Sequence, residues 1–140
     1  MADPFELRRF VDAQSGVYHE VCAELRSGRK TSHWMWFIFP QLRGLGFTAT
    51  AQRFAISGIE EAQAYLGHAL LGPRLHECTQ LVNQLEERSI HQIFGTPDDL
   101  KFRSSMTLFA QASPADKPFA EALQKHFAGR ADSRTLALLA

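Results

Sequence analysis

Cysteine is scarce in this chain, which has only Cys22 and Cys78. The two stand far apart in sequence, so they form no CxxC motif and no thiolate metal pattern. That excludes a zinc ribbon and a small disulfide-stapled scaffold. Each sits among apolar residues at helical spacing, so both are read as small buried hydrophobes, with a disulfide between them allowed but not required. An excess of one charge sign is also missing: 15 Lys and Arg balance 15 Asp and Glu. Binding to DNA, RNA or an anionic membrane surface draws on clustered cations, so the balance gives no strong case for nucleic acid or membrane as a partner. A local basic patch stays open, and the zero net charge removes a barrier to self-association.

Long hydrophobic runs are lacking as well. The longest, Trp34 to Phe39, falls far short of the ~20 residues a membrane helix requires. Met1 to Phe10 carries Asp3, Glu6, Arg8 and Arg9 and has no apolar stretch of the secretory kind, so the expected location is the cytoplasm. Several catalytic signatures are absent too. There is no G-x-S-x-G elbow and no Cys–His signature. His19, His68, His76, His91 and His126 fall in no HExxH or related spacing, so no metal and no cofactor is expected.

What is present describes an ordinary globular chain. Its 140 residues, 45% hydrophobic and 21% charged, suit one domain spanning 1–140 that buries a core without staples. Phenylalanine is abundant, with 11 copies against 2 Tyr and 2 Trp. A ring without a polar handle belongs mostly in the core.

The punctuation is helical throughout. Asp3-Pro4 reads as a helix start ahead of Phe10 and Val11, and Val17 to Leu25 follows a 3.6-residue period that Gly28 stops. Thr31 and Ser32 precede the segment His33 to Phe39, closed by Pro40. That segment fits either a buried strand or a short buried helix, and the helix is preferred because no partner strand is offered elsewhere. Thr48 or Thr50, Ser57, Gly72-Pro73, Ser89 and Asp132 open further helices, and Gly67, Gly95 and Gly129 close others. Thr96-Pro97-Asp98-Asp99 places a cap, a first-turn proline and two acids at a helix start, with Leu100 facing inward. The predicted fold is all-α, an irregular orthogonal bundle of about six to eight short helices.

One stretch draws chemical interest, Gly28-Arg29-Lys30-Thr31-Ser32-His33-Trp34-Met35-Trp36. A phosphate loop needs lysine directly after its second glycine and another glycine five residues earlier; Arg29 and Ala23 occupy those places, which excludes a nucleoside triphosphatase. A simpler anion site survives, built from Arg29, Lys30 and the amides at a helix start capped by Thr31 or Ser32. His33 borders the apolar run; burial there would keep it neutral, as a general base or hydrogen-bond partner must be. Trp34 or Trp36 offers an indole to stack on a ring. A second polar stretch, Lys101 to Ser105, brings Arg103 and Ser104, while Asp98 and Asp99 are explained as helix-start acids.

Several strings carry a resemblance. They are Ser32-His33-Trp34-Met35-Trp36-Phe37-Ile38-Phe39-Pro40-Gln41 with Leu45-Gly46, Asp3-Pro4-Phe5 with Arg9-Phe10-Val11, Leu71-Gly72-Pro73-Arg74-Leu75, and Pro97-Asp98-Asp99-Leu100-Lys101 with Arg103 through Phe109. On these the chain resembles the bacterial domain-of-unknown-function family 1810, over Asp3 to Leu139. Members are often labelled calpastatin, a name that belongs to disordered inhibitors and does not suit a packed chain. The resemblance implies an all-helical fold and no activity or catalytic residue.

Packing alone does not require Ser32-His33 or Arg103-Ser104-Ser105. The leading expectation is therefore a pocket between segments 29–41 and 97–105 for a small anionic or nucleotide-derived ligand. Arg29, Lys30, Ser32, Trp34, Trp36, Arg103 and Ser104 would contact it, and His33 would be the candidate catalytic group. Whether the protein is an enzyme stays open. The alternative is a protein-interaction module or homodimer anchored by the 34–39 aromatic run.

Overall fold

The computed structural model describes residues 3–140. Among them are ten helices: α1 (Arg8–Gln14), α2 (Tyr18–Ser27), α3 (Met35–Ile38), α4 (Ala49–Arg53), α5 (Ile59–Gly67), α6 (Leu71–Gln84), α7 (Ile90–Phe94), α8 (Asp98–Ala112), α9 (Lys117–Phe127) and α10 (Ser133–Leu139). The fold is all-α, with more helices than the six to eight expected, because α3, α4 and α7 are independent elements of four or five residues. Two of these are fixed by caps written in the sequence. Thr48 accepts from the Ala51 amide, and Ser89 forms a full capping box with Gln92.

α8 is the central helix. It packs against α5, α7, α9 and α10, and most of its residues from Phe102 to Ala112 are buried. A helix enclosed on nearly every side has no amphipathic stripe, which explains its polar yet buried Ser104, Ser105 and Thr107. Ser104 and Thr107 turn their hydroxyls back to the carbonyls of Leu100 (3.1 Å) and Arg103 (2.8 Å), so two of these small polar side chains sit in the packed helix at little cost. Leu100 does not face inward as expected; it is 56% exposed. Phe102 is fully buried, and a residue two positions away on a helix points to the far side.

Segment 33–39 is a helix of one turn, Met35–Ile38, set in the core. Trp34, Met35, Ile38 and Phe39 are each 2% exposed or less. Trp36 and Phe37 keep partial exposure, so an interface anchored by this run would rest on those two rings. Its rings join a cluster in which Phe39 meets Phe102 edge-on at 5.0 Å and Phe94 stacks on Phe102 at 5.0 Å. The non-helical pairing lies just beyond, where Leu42 bridges Ile56. This ties the 41–47 loop to the end of α4 through Ile56 N–H donating to Gln41 (2.9 Å) and Arg43 N–H to Ile56 (2.8 Å). Among the described residues, no helix is long and apolar enough to cross a membrane.

Candidate functional site

The expected anion site before α3 is filled by the protein itself. α2 ends at Gly28, whose left-handed φ of 81° turns the chain back past Glu24. The Glu24 carboxylate accepts from the amides of Thr31 (2.7 Å) and Ser32 (2.9 Å), the Ser32 hydroxyl (2.7 Å) and the Trp34 indole N–H (3.0 Å). Partial burial pushes this carboxyl up, but the four donors outweigh it and hold it down at about 2. Ser32 and Trp34 are thus engaged internally, and the buried Trp34 has no face to offer a ligand. Lys30 is likewise committed, with Nζ 2.8 Å from Asp98 and 5.2 Å from the Trp34 ring centroid. Arg29 is exposed. His33 is exposed too, outside the apolar setting expected for it.

The two segments do meet, one turn further on. A cleft of about 450 Å³ lies between Trp36 and Gln41 on one wall and Pro97, Leu100, Lys101, Arg103 and Ser104 of α8 on the other. The loop Leu45 to Thr48 and the start of α10, with Asp132 and Arg134, complete it. Phe47 is 75% exposed here and faces the same cleft as the exposed Leu100. Trp36 is half-buried, with Lys101 Nζ 5.0 Å from its ring centroid.

The polar groups of this cleft divide by what they bind. Ser104 and Asp132 are internal: Asp132 Oδ2 accepts from the Ser104 hydroxyl (3.2 Å), the Thr135 amide (3.0 Å) and the Thr135 hydroxyl (2.6 Å). Arg103 donates Nε to the Arg130 carbonyl (2.8 Å) and an Nη to that of Ala131 (3.1 Å), which secures the α9–α10 connection. It has no carboxylate partner among the described residues, and neither has Arg134. Lys101 shares Asp98 with Lys30 at the longer distance, 3.7 Å against 2.8 Å. The cleft therefore carries three cations against one carboxylate that is already hydrogen-bonded. Of the residues singled out from sequence, Trp36, Arg103 and Ser104 line it; Arg29, Lys30, Ser32, His33 and Trp34 do not.

Sequence reasoning missed Phe47, Asp132 and Arg134 as wall residues; Lys101 belongs to the polar stretch it placed at the site. Phe47 left a trace, a large ring in a glycine-rich loop without periodic partners. Arg134 left none. It also missed the buried pair of Arg9 and Glu61, 2.7 Å apart, with Ser57 amide and hydroxyl donating to the other Glu61 oxygen. Thr96 serves the α8 start differently from expectation. Its hydroxyl contacts His91 (3.1 Å) and Asp99 (3.4 Å), and the helix begins at Asp98, after Pro97.

The fold and cleft define a small all-helical domain with an apolar, cation-edged groove. The chain belongs to the DUF1810 family, described as a protein of unknown function, whose profile matches residues 4–139. Its structure is similar to the crystal structure of the conserved hypothetical protein Rv1873 from Mycobacterium tuberculosis, with a TM-score of 0.97, 64% identity and 98% of each chain covered. No curated protein matches the chain.

Proposed function

We propose that the protein binds a small anionic ligand bearing a flat ring, of the nucleotide-derivative class, in the cleft between Trp36 and α8. The observation that carries this reading is the surplus of positive charge beside aromatic surface: Lys101, Arg103 and Arg134 edge a groove floored by Trp36, Leu45 and Phe47. Arg103 and Arg134 without a carboxylate partner, and Lys101 sharing one, favour an anion, and indole and phenyl faces favour a ring. About 450 Å³ is within the range that holds a drug-sized molecule. His33 lies outside the lining and takes no part, so the reading is one of binding. The free thiols of Cys22 and Cys78 support residence in a reducing cytoplasm.

The test is a thermal-shift and calorimetric screen against ADP-ribose, NAD, mononucleotides and sugar phosphates. A ligand at ~100 times its Kd adds ~2.7 kcal/mol, which raises the melting temperature by several degrees. Trp36→Ala and Arg134→Ala remove the ring surface and a cation that holds no internal bond. Loss of the shift in these folded variants supports the cleft; a shift that both variants retain refutes it.

A second reading rests on Phe47 and Leu100, exposed by 75% and 56%. Large apolar groups facing water beside a groove also suit a protein partner or a second copy of the chain. Concentration-dependent sedimentation of the wild type and Phe47→Ser separates this from ligand binding.

A further inference from the structure

α2 and α6 pack together, and their seam holds a cluster of polar groups: Tyr18 and Cys22 from α2, Glu77 and Cys78 from α6. The Tyr18 hydroxyl donates to Glu77 Oε1. Cys22 Sγ lies 3.7 Å from that same oxygen, and Cys78 Sγ lies 3.8 Å from the Tyr18 hydroxyl. Both thiols are free, and each touches one member of the hydrogen-bonded Tyr18–Glu77 pair, which brings the two sulfurs to the same polar cluster. Thiols buried purely as packing are inert, whereas these two share one polar cluster across a helix–helix seam.

The pair is asymmetric. Cys78 has no exposed surface, while Cys22 is 4% exposed and opens onto a concavity of about 430 Å³ edged by His19, Arg26 and Arg74. A small oxidant can therefore reach Cys22 first. Their proton affinities diverge the same way. The neighbouring Cys78 side chain draws the Cys22 thiol down to about 7 against the pull of burial, while the Cys78 thiol is pushed up by the neighbouring Cys22 and by burial.

We propose that Cys22 and Cys78 are a redox pair: a small hydroperoxide oxidises Cys22, and Cys78 resolves the product as an intramolecular disulfide joining α2 to α6. In the first step the Cys22 thiolate sulfur bonds to the distal peroxide oxygen. The O–O bond breaks, and the departing hydroxide or alkoxide takes a proton. In the second, the Cys78 sulfur attacks the sulfenic sulfur. The S–S bond forms as the S–O bond breaks, and one water leaves with the Cys78 proton. Sulfur loses two electrons in all, and the peroxide gains them. A dithiol reductant reverses the change.

The experiment treats the reduced full chain with hydrogen peroxide, unfolds it in iodoacetamide and reads the intact mass and peptide map. The expected product is lighter by the two thiol hydrogens, alkylates at neither cysteine, stays monomeric on a non-reducing gel and recovers both thiols in dithiothreitol. In Cys78→Ser the reaction stops at Cys22 sulfenic acid, which dimedone captures. In Cys22→Ser at the same dose, Cys78 stays reduced. Wild-type protein that keeps both thiols, overoxidises Cys22 without a disulfide, or crosslinks between chains overturns the proposal. The wild-type result stands even where a variant fails to fold.

Discussion

Removing the Glu24 carboxylate tests how the 31–34 segment is held. Glu24→Ala deletes the acceptor for four donors, two of them backbone amides and one the indole N–H of Trp34. Thr31 is exposed and its amide can turn to water, but Trp34 is 2% exposed and its N–H cannot. Leaving a buried donor unpaired costs ~1–3 kcal/mol, so with a smaller loss at Ser32 the whole change is about 3 kcal/mol. Glu24→Gln keeps an oxygen for the three donors on Oε1, but it removes the charge and replaces Oε2 by an amide that can only donate to the Ser32 hydroxyl. The drop of the carboxyl from 4.5 to about 2 would convert to ~3 kcal/mol, which solvent contact cuts to about 1.5 kcal/mol. The sign follows from the lowered value: this stability is present above pH 4.5 and is lost as pH falls toward about 2. Urea unfolding followed by tryptophan fluorescence measures all three proteins. Trp34→Phe, alone and combined with Glu24→Ala, isolates the indole contribution as a coupling energy. A cost below ~0.5 kcal/mol for Glu24→Ala, or no coupling to Trp34, would refute the account, since surface substitutions routinely cost that little.

Four other substitutions have defined outcomes. Gly72→Ala places a methyl group 2.1 Å from the Leu66 backbone carbonyl oxygen, and the resulting shift of α6 against α5 should cost at least ~2 kcal/mol despite the better helix propensity of alanine; chemical denaturation measures it. His126 is drawn down to about 4 by burial and by Lys125, so folding loses stability as pH falls from 6.5 to about 4. After allowance for solvent the loss is about 2 kcal/mol. Melting temperatures across that range should flatten in His126→Phe. Glu61→Ala strands the Arg9 guanidinium beside a buried site and should lower stability by ~3 kcal/mol in urea titration, whereas Arg8→Ala, at an exposed pair, should leave it within ~0.5 kcal/mol.

Local signals made the helices legible because they act within a few residues. Gly28, Ser89 and Asp132 each end or begin a helix where their chemistry places them, and the α-helix preference for 33–39 holds. The candidate site was harder to read because its logic is long-range. A serine, a histidine and two tryptophans beside cations suggest an anion site on local grounds. Nothing local says that Glu24, a turn earlier on α2, bends back to occupy it. Ser104 posed the same problem: its partner Asp132 comes from the start of another helix. Leu100 misled through register, since the buried face of α8 is set by Phe102 and Phe109 and leaves Leu100 outside.

The cleft separates into residues that build it and residues with no structural duty, and that division decides which substitutions are informative. Ser104 and Asp132 bond each other, and Asp132 also caps α10; removing either disturbs the α8–α10 contact whatever the ligand. Arg103 holds two carbonyls between α9 and α10, so its loss combines structure with charge. The side chains of Arg134 and Phe47 face water without an internal polar bond, and Lys101 is the weaker claimant on Asp98. Stability accounts for the first group completely and for the second scarcely at all. Arg134 without a carboxylate partner, Lys101 sharing Asp98 with Lys30, and a ring 75% exposed stand together at one groove, where a large apolar group facing water is the feature that asks for an outside partner. Changes at Arg134, Lys101 and Phe47 therefore test the proposed binding with little disturbance of the fold, and it is there, more than at His33 or Ser32, that function should be sought.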